Sequence, residues 1–298
     1  MKKLIIIICG IFLTISTYAQ RSELGLMLGT SYYLGDINPS SQFYSPNFAG
    51  GLIYRYNLNP HWALKLNALY GTVEASDADF GEIRNLSFKS HILEFSSQIE
   101  LNFWEYFTGS KSHRFSPYIF AGVAIFNYNP QAIDSAGVWH DLQPLGTEGQ
   151  GTIETPTRKV YSLTQFAIPF GIGVKFSVSK VICIGAEWGL RKTFADYIDD
   201  VSTTYVDRFL LANEKGKIAG YLSDRTPELL YSNPTPDPND PTTFIIHRPA
   251  HIKDEQRGNS STTDWYSFAG ITITFKLGYK SRPSCFDKGF NYKENIYY

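Results

Sequence analysis

Phe194-Ala195-Asp196-Tyr197-Ile198-Asp199-Asp200 places three carboxylates within five residues, and Asp36 follows a run of glycine and aromatic residues near the start of the chain. Dense oxygen ligands are what calcium takes. The spacing is not that of an EF-hand loop, whose glycine and terminal glutamate are missing, so no metal and no cofactor is assigned. The favoured reading of Asp36, Asp196, Asp199 and Asp200 is a solvated, hydrogen-bonded carboxylate cluster that orders the chain around it. Ser90-His91 with Glu94 supplies the residue types of a hydrolytic triad. Neighbouring residues of an extended segment point to opposite faces, so Ser90 and Glu94 are turned away from His91 and no residue is assigned as catalytic. His91 reads instead as half-buried on its strand. Of the three cysteines, Cys9 lies in an apolar leader, leaving Cys183 and Cys285. No cysteine or histidine pair has zinc-ligand spacing.

The ends of the chain read as an exported protein. Lys2 and Lys3 precede an apolar run from Leu4 to Ile15, which is too short to span a bilayer as a helix, and Thr17-Tyr18-Ala19 ends in a small residue. Cleavage before Gln20 is expected. The sequence divides into a signal peptide (1–19), a barrel (20–279) and a C-terminal tail (280–298). Beyond the leader no apolar stretch reaches the length of a membrane helix. Mean hydropathy is −0.19, as expected when only alternate residues face lipid. Twenty tyrosines, 21 phenylalanines and 5 tryptophans suit strands ringed by interfacial aromatics. A net charge of −1 gives no case for nucleic acid.

Eight strand candidates follow: Glu23–Tyr33, Phe48–Tyr56, a third around Leu64–Gly71, Leu86–Trp104, Ser116–Asn129, Val160–Ser177, Val181–Phe194 and Trp265–Leu277. The third alternates most clearly, with Leu64, Leu66, Ala68 and Tyr70 on one face and Lys65, Asn67 and Gly71 on the other. In the fourth, His91, Leu93, Phe95, Ile99 and Leu101 oppose Glu94, Ser96, Gln98, Glu100 and Asn102. The fifth is apolar on both parities and cannot be oriented. Pro169 inside the sixth calls for a bulge. The gaps alternate short and long, the longest running from about 195 to 264, with Pro-Asp-Pro-Asn-Asp-Pro (236–241) as a disordered loop tip.

This pattern is that of an all-β, eight-stranded antiparallel transmembrane β-barrel with long extracellular loops. An even strand count puts both barrel ends on one side, expected to be periplasmic. The polar parity collects Glu23, Arg55, Lys65, Glu94, Glu100, Lys175, Glu187, Arg191 and Lys276. A nearly balanced set of charges in so narrow a lumen fits a salt-bridged plug rather than a pore. Cys183 and Cys285 fall on the periplasmic side, where compartment and reach permit a disulfide. Two free thiols or a mixed bridge to a partner remain open.

Several segments resemble a family of bacterial outer-membrane barrels that includes PorG, a component of the type IX secretion system. They are Gly29-Thr30-Ser31-Tyr32-Tyr33-Leu34-Gly35-Asp36, Tyr54-Arg55-Tyr56-Asn57-Leu58-Asn59-Pro60, Ser116-Pro117-Tyr118-Ile119-Phe120-Ala121-Gly122 and, most distinctively, Arg191-Lys192-Thr193-Phe194-Ala195-Asp196-Tyr197-Ile198-Asp199-Asp200-Val201-Ser202. The family also includes members of no established role. The resemblance implies an integral, non-enzymatic protein of the cell outer membrane. It further implies a structural or assembly role in protein secretion, with outer-membrane lipid and the periplasmic ring and translocon proteins as partners. The alternative is a surface-binding or general structural barrel that works through its long loops.

Overall fold

The computed structural model describes residues 21–230, 236–237, 240–244 and 251–277. The expected signal peptide, the C-terminal tail and Cys285 lie outside the described residues. Eight long strands alternate up and down: β1 (Ser22–Leu34), β2 (Asn47–Asn57), β3 (Trp62–Ser76), β4 (Ser87–Asn102), β5 (Phe115–Ile133), β6 (Thr164–Ser177), β7 (Ile182–Thr193) and β8 (Trp265–Lys276). Each pairs antiparallel with its sequence neighbour. The sheet closes where β1 meets β8, in continuous register from Glu23 opposite Lys276 to Leu34 opposite Trp265. Closure leaves no strand edge, so backbone groups pair along the wall without water, apart from two rungs beside Pro169.

Alternation sorts the wall into two faces. In β4, Ile99 is 53% exposed and its neighbour Glu100 fully buried. Leu24, Leu26 and Leu28 of β1, Leu64 and Leu66 of β3, and Phe166, Ile168, Phe170, Ile172, Val174 and Phe176 of β6 all face outward. A belt this apolar on every side is covered by hydrocarbon. Trp62, Phe103, Trp104 and Phe115 are exposed at the rim of short turns, and Phe48, Trp139 and Phe194 at the other. No helix among the described residues is long and apolar enough to cross a membrane.

The strands and loops depart from the sequence reading in several places. β5 now has an orientation: Tyr118, Phe120, Phe126 and Tyr128 point inward, while Ile119, Val123 and Ile125 point outward. Its inner face is aromatic rather than polar, which hid the parity. β6 begins at Thr164 rather than Val160, and Pro169 causes no bulge. The β5–β6 register keeps one offset on both sides of the proline, and only the rungs beside it are missing, as expected of a residue with no N–H to donate. Pro236–Asp237 pairs with Asp240–Phe244, so the expected disordered tip carries a short ladder. Finally, the longest loop folds into α1 (Arg208–Lys215), α2 (Lys217–Ser223) and α3 (Thr226–Leu230). Asp207 caps α1 by accepting from Phe209 and Leu210 N–H.

Candidate functional site

The lumen holds two groups of buried ion pairs. Arg55 bridges Glu23 and Glu100, each at 2.9 Å. Lys175 lies 2.8 Å from Glu100 and Lys65 2.7 Å from Glu187, with Glu100 a further 3.5 Å from Lys65. Toward the long loops, Arg191 pairs with Glu94 at 2.9 Å, and the Tyr266 hydroxyl donates to the same oxygen. These side chains are almost completely buried. Lys65 also sits 4.2 Å from the Phe120 ring centre, and Arg191 4.8 Å from that of Phe268. A buried charge is tolerable when paired and hydrogen-bonded, and alternation along six strands supplies the partners.

The chain closes both mouths of this lumen. At the short-turn end, the β4–β5 connection folds inward. Tyr106 and Thr108 are buried, Thr108 donates to Glu23, and Lys276 donates to the Thr108 carbonyl at 3.2 Å. Gly109 has φ +92° and passes so close to the Lys180 backbone that a Cβ would meet its carbonyl oxygen at 2.7 Å. At the other end, residues from the β5–β6 and β7–β8 loops form a cap. Its apolar core, including Ile198, Val201, Tyr221 and Leu222, is continuous with Tyr33, Phe88, Phe126 and Tyr266 of the barrel.

Glu148 is the hub of the cap. Its carboxylate accepts from Ser202 N–H, from both the N–H and hydroxyl of Thr203, and from Arg257 at 3.1 Å. Arg257 donates as well to the carbonyls of Asp200 (2.6 Å) and Ser223 (3.2 Å). Arg84, from the β3–β4 loop, donates to Asp77 and to the carbonyls of Asp36 and Arg257. Four loops are thereby tied together by two guanidinium groups, whose forked donors suit this task better than a lysine.

The carboxylates singled out from sequence all fall within this cap. Asp36 accepts from Asn259 N–H, Asp196 from the Ser202 hydroxyl, Asp199 from Tyr33, and Asp200 from Tyr161 and Thr147. Burial pushes Asp196 up to about 7 and Asp200 up to about 6, Asp200 being held back by Arg257. Among the described residues no group of three or more His, Cys, Asp or Glu side chains is arranged to hold a metal ion. Cys183 is buried at the start of β7. His91 is exposed on the outer wall rather than half-buried, stacked on Tyr70 with ring centres 5.9 Å apart and 3.0 Å from the Thr72 hydroxyl, whereas Glu94 points inward. Sequence reading missed Glu148, Arg257 and Asp264. Each lies in a loop with no periodicity, and the partners of Glu148 are as many as 109 positions away.

The molecule is thus a small, closed, membrane-type β-barrel, charge-filled and capped. Its chain belongs to the family described as a domain of unknown function, DUF6089, whose profile matches residues 2–209. No curated protein matches it. Among solved structures it is similar to Neisserial surface protein A (8% identity, 86% of this chain and 97% of that one, TM-score 0.39). It is also similar to the N-terminal β-barrel domain of Pseudomonas aeruginosa OprF (12%, 86% and 97%, TM-score 0.35). A third likeness is to Ail, the attachment invasion locus protein of Yersinia pestis (11%, 58% and 88%, TM-score 0.34).

Proposed function

We propose that this protein is a non-conducting anchor of the bacterial outer membrane and serves as a structural or assembly component of the type IX protein secretion system. The observation that carries the anchoring role is the sealed lumen: buried ion pairs fill it, and loop residues cover both ends. A barrel with no passage acts through its rims. Both barrel ends then lie in the periplasm, and the β4–β5 connection and the tail from Lys280 to Tyr298 face the periplasmic ring and the translocon. The segment from Arg191 to Ser202, through its resemblance to PorG-like barrels, supports the secretion assignment.

The test is affinity purification of the tagged, full-length protein from solubilised outer membranes of its own host, followed by mass spectrometry. Ring and translocon proteins are expected in the eluate, and deletion of 280–298 is expected to remove them while leaving the barrel folded. Recovery of the barrel alone, with secretion intact in a strain lacking it, would sink the assignment. One observation favours a second reading, a surface-binding barrel. The largest loop is an organised helical cap that exposes Phe209, Leu210 and Ile252. Replacing residues 195–264 by a short turn separates the two, because only the binding role requires the cap.

A further inference from the structure

Tyr33, Asp199 and Asp264 meet where the cap sits on the barrel, and none of the three is more than 2% exposed. The Tyr33 hydroxyl lies 2.5 Å from Asp199 Oδ2 and 2.9 Å from Asp264 Oδ1. A tyrosine hydroxyl has one hydrogen to give, so it can satisfy only one of these carboxylate oxygens. The second contact is a hydrogen bond only if the other carboxyl carries a proton and donates it to the tyrosine oxygen. The remaining oxygens are already used: Asp199 Oδ1 accepts from Val201 N–H and Asp264 Oδ2 from Ile198 N–H. Donor counting therefore requires one trapped proton in the triad. Gly35 leaves room for it, since a Cβ there would lie 2.0 Å from the Tyr33 oxygen and 2.1 Å from Asp264 Oδ1.

We propose that Tyr33, Asp199 and Asp264 form a proton-holding latch that fastens both ends of the largest loop to the end of β1, and that removing the shared proton releases the cap. Asp199 stands just after β7 and Asp264 just before β8, so the latch grips the loop where it leaves the wall and where it returns. The surrounding charges favour retention of the proton. Asp36, from the β1–β2 loop, acts on both carboxyls, and Asp196 acts on Asp264. From the β3–β4 loop, Arg84 feels Asp199 behind its own partner Asp77. Arg257 is engaged by Glu148 and the Asp200 carbonyl. From β5, Tyr128 interacts electrostatically with Asp264, Asp200 and Asp199. Burial and mutual repulsion hold both latch carboxyls well above the ordinary range. A carboxyl raised by folding stabilises the folded form at low pH, and that contribution is lost as pH rises through its folded value. The cap is therefore tight in acid and loosens in alkali.

The test is limited proteolysis of the purified full-length protein in nanodiscs at pH 6, 8 and 9.5. Cleavage within 195–264 is followed, with rates divided by those for an unfolded peptide at each pH. In the natural protein, cleavage is expected to rise at least tenfold between pH 8 and 9.5, above the range in which Asp196 and Asp200 titrate. Asp264→Asn supplies a permanent N–H donor in place of the trapped proton, so its profile is expected to be flat over that interval. Asp199→Asn gives the same reading should Asp264→Asn fail to fold. Tyr33→Phe removes the bridge and is expected to raise cleavage already at pH 8. A flat profile for the natural protein, an unchanged slope in both asparagine variants, or protection restored at pH 9.5 by calcium ions alone would each overturn the latch.

Discussion

Glu100 is where the lumenal cations converge, with Arg55, Lys65 and Lys175 all within ion-pair distance of one carboxylate. Glu100→Ala leaves these buried cations with fewer partners. The expected cost is about 3–5 kcal/mol, read as a lower urea midpoint in detergent by tryptophan fluorescence. An unchanged midpoint would show that the ions are solvated and the lumen wet. Gly35→Ala is expected to leave the barrel intact but disturb the cap, because its Cβ would overlap the Tyr33 hydroxyl. Increased proteolysis of 195–264 at neutral pH checks this. At this scale the sequence was readable wherever a residue's role followed from parity. All nine charges assigned to the lumen point inward because they share the polar face of their strands. Glu148 and Arg257 were not readable, because their pairing is created by loop folding and leaves no periodic trace.

Strands were legible because each repeats one choice, apolar outward and polar inward, over ten or more residues. β5 was the exception. Its inward Phe126 and Tyr128 pack beneath the cap, stacked at 5.6 Å, so neither face was polar. The helices of the longest loop went unseen for a different reason. They are short, separated by Gly216 and by Asp224-Arg225, and helices of this length persist through packing rather than propensity. α1 and α2 are pressed together at Gly220, where a Cβ would meet the Arg208 carbonyl oxygen at 2.4 Å. Gly220→Ala is expected to destabilise the helical pair by about 1–3 kcal/mol, with hydrogen exchange faster in 208–223 and unchanged in β3 and β4. Asp196 and Asp200 add a pH dependence to the same element. Both are raised by folding, so their stabilising contribution is greatest in acid and declines as pH rises through about 6 to 7. Thermal release of the cap should come at a lower temperature at pH 8 than at pH 5.

For the whole molecule, a lumen packed with ion pairs and covered at both ends predicts no steady conductance above the bare bilayer when the protein is reconstituted in planar membranes. Open-channel steps would refute the sealed barrel. The distribution of the lumenal charges along the chain also bears on how the barrel is built. Arg55 and Lys65, on β2 and β3, find Glu23 and Glu100 on β1 and β4, so the first four strands already hold a neutralised cluster. Glu94 must wait for Arg191 on β7, which also brings Lys65 its closer partner, Glu187. A chain arrested after β6 would have to join its free edges around stranded ions, which disfavours premature circularisation. Sealing of the β1–β8 seam is thereby coupled to delivery of the penultimate strand, so the arrangement of charges acts as an assembly checkpoint written into the wall itself.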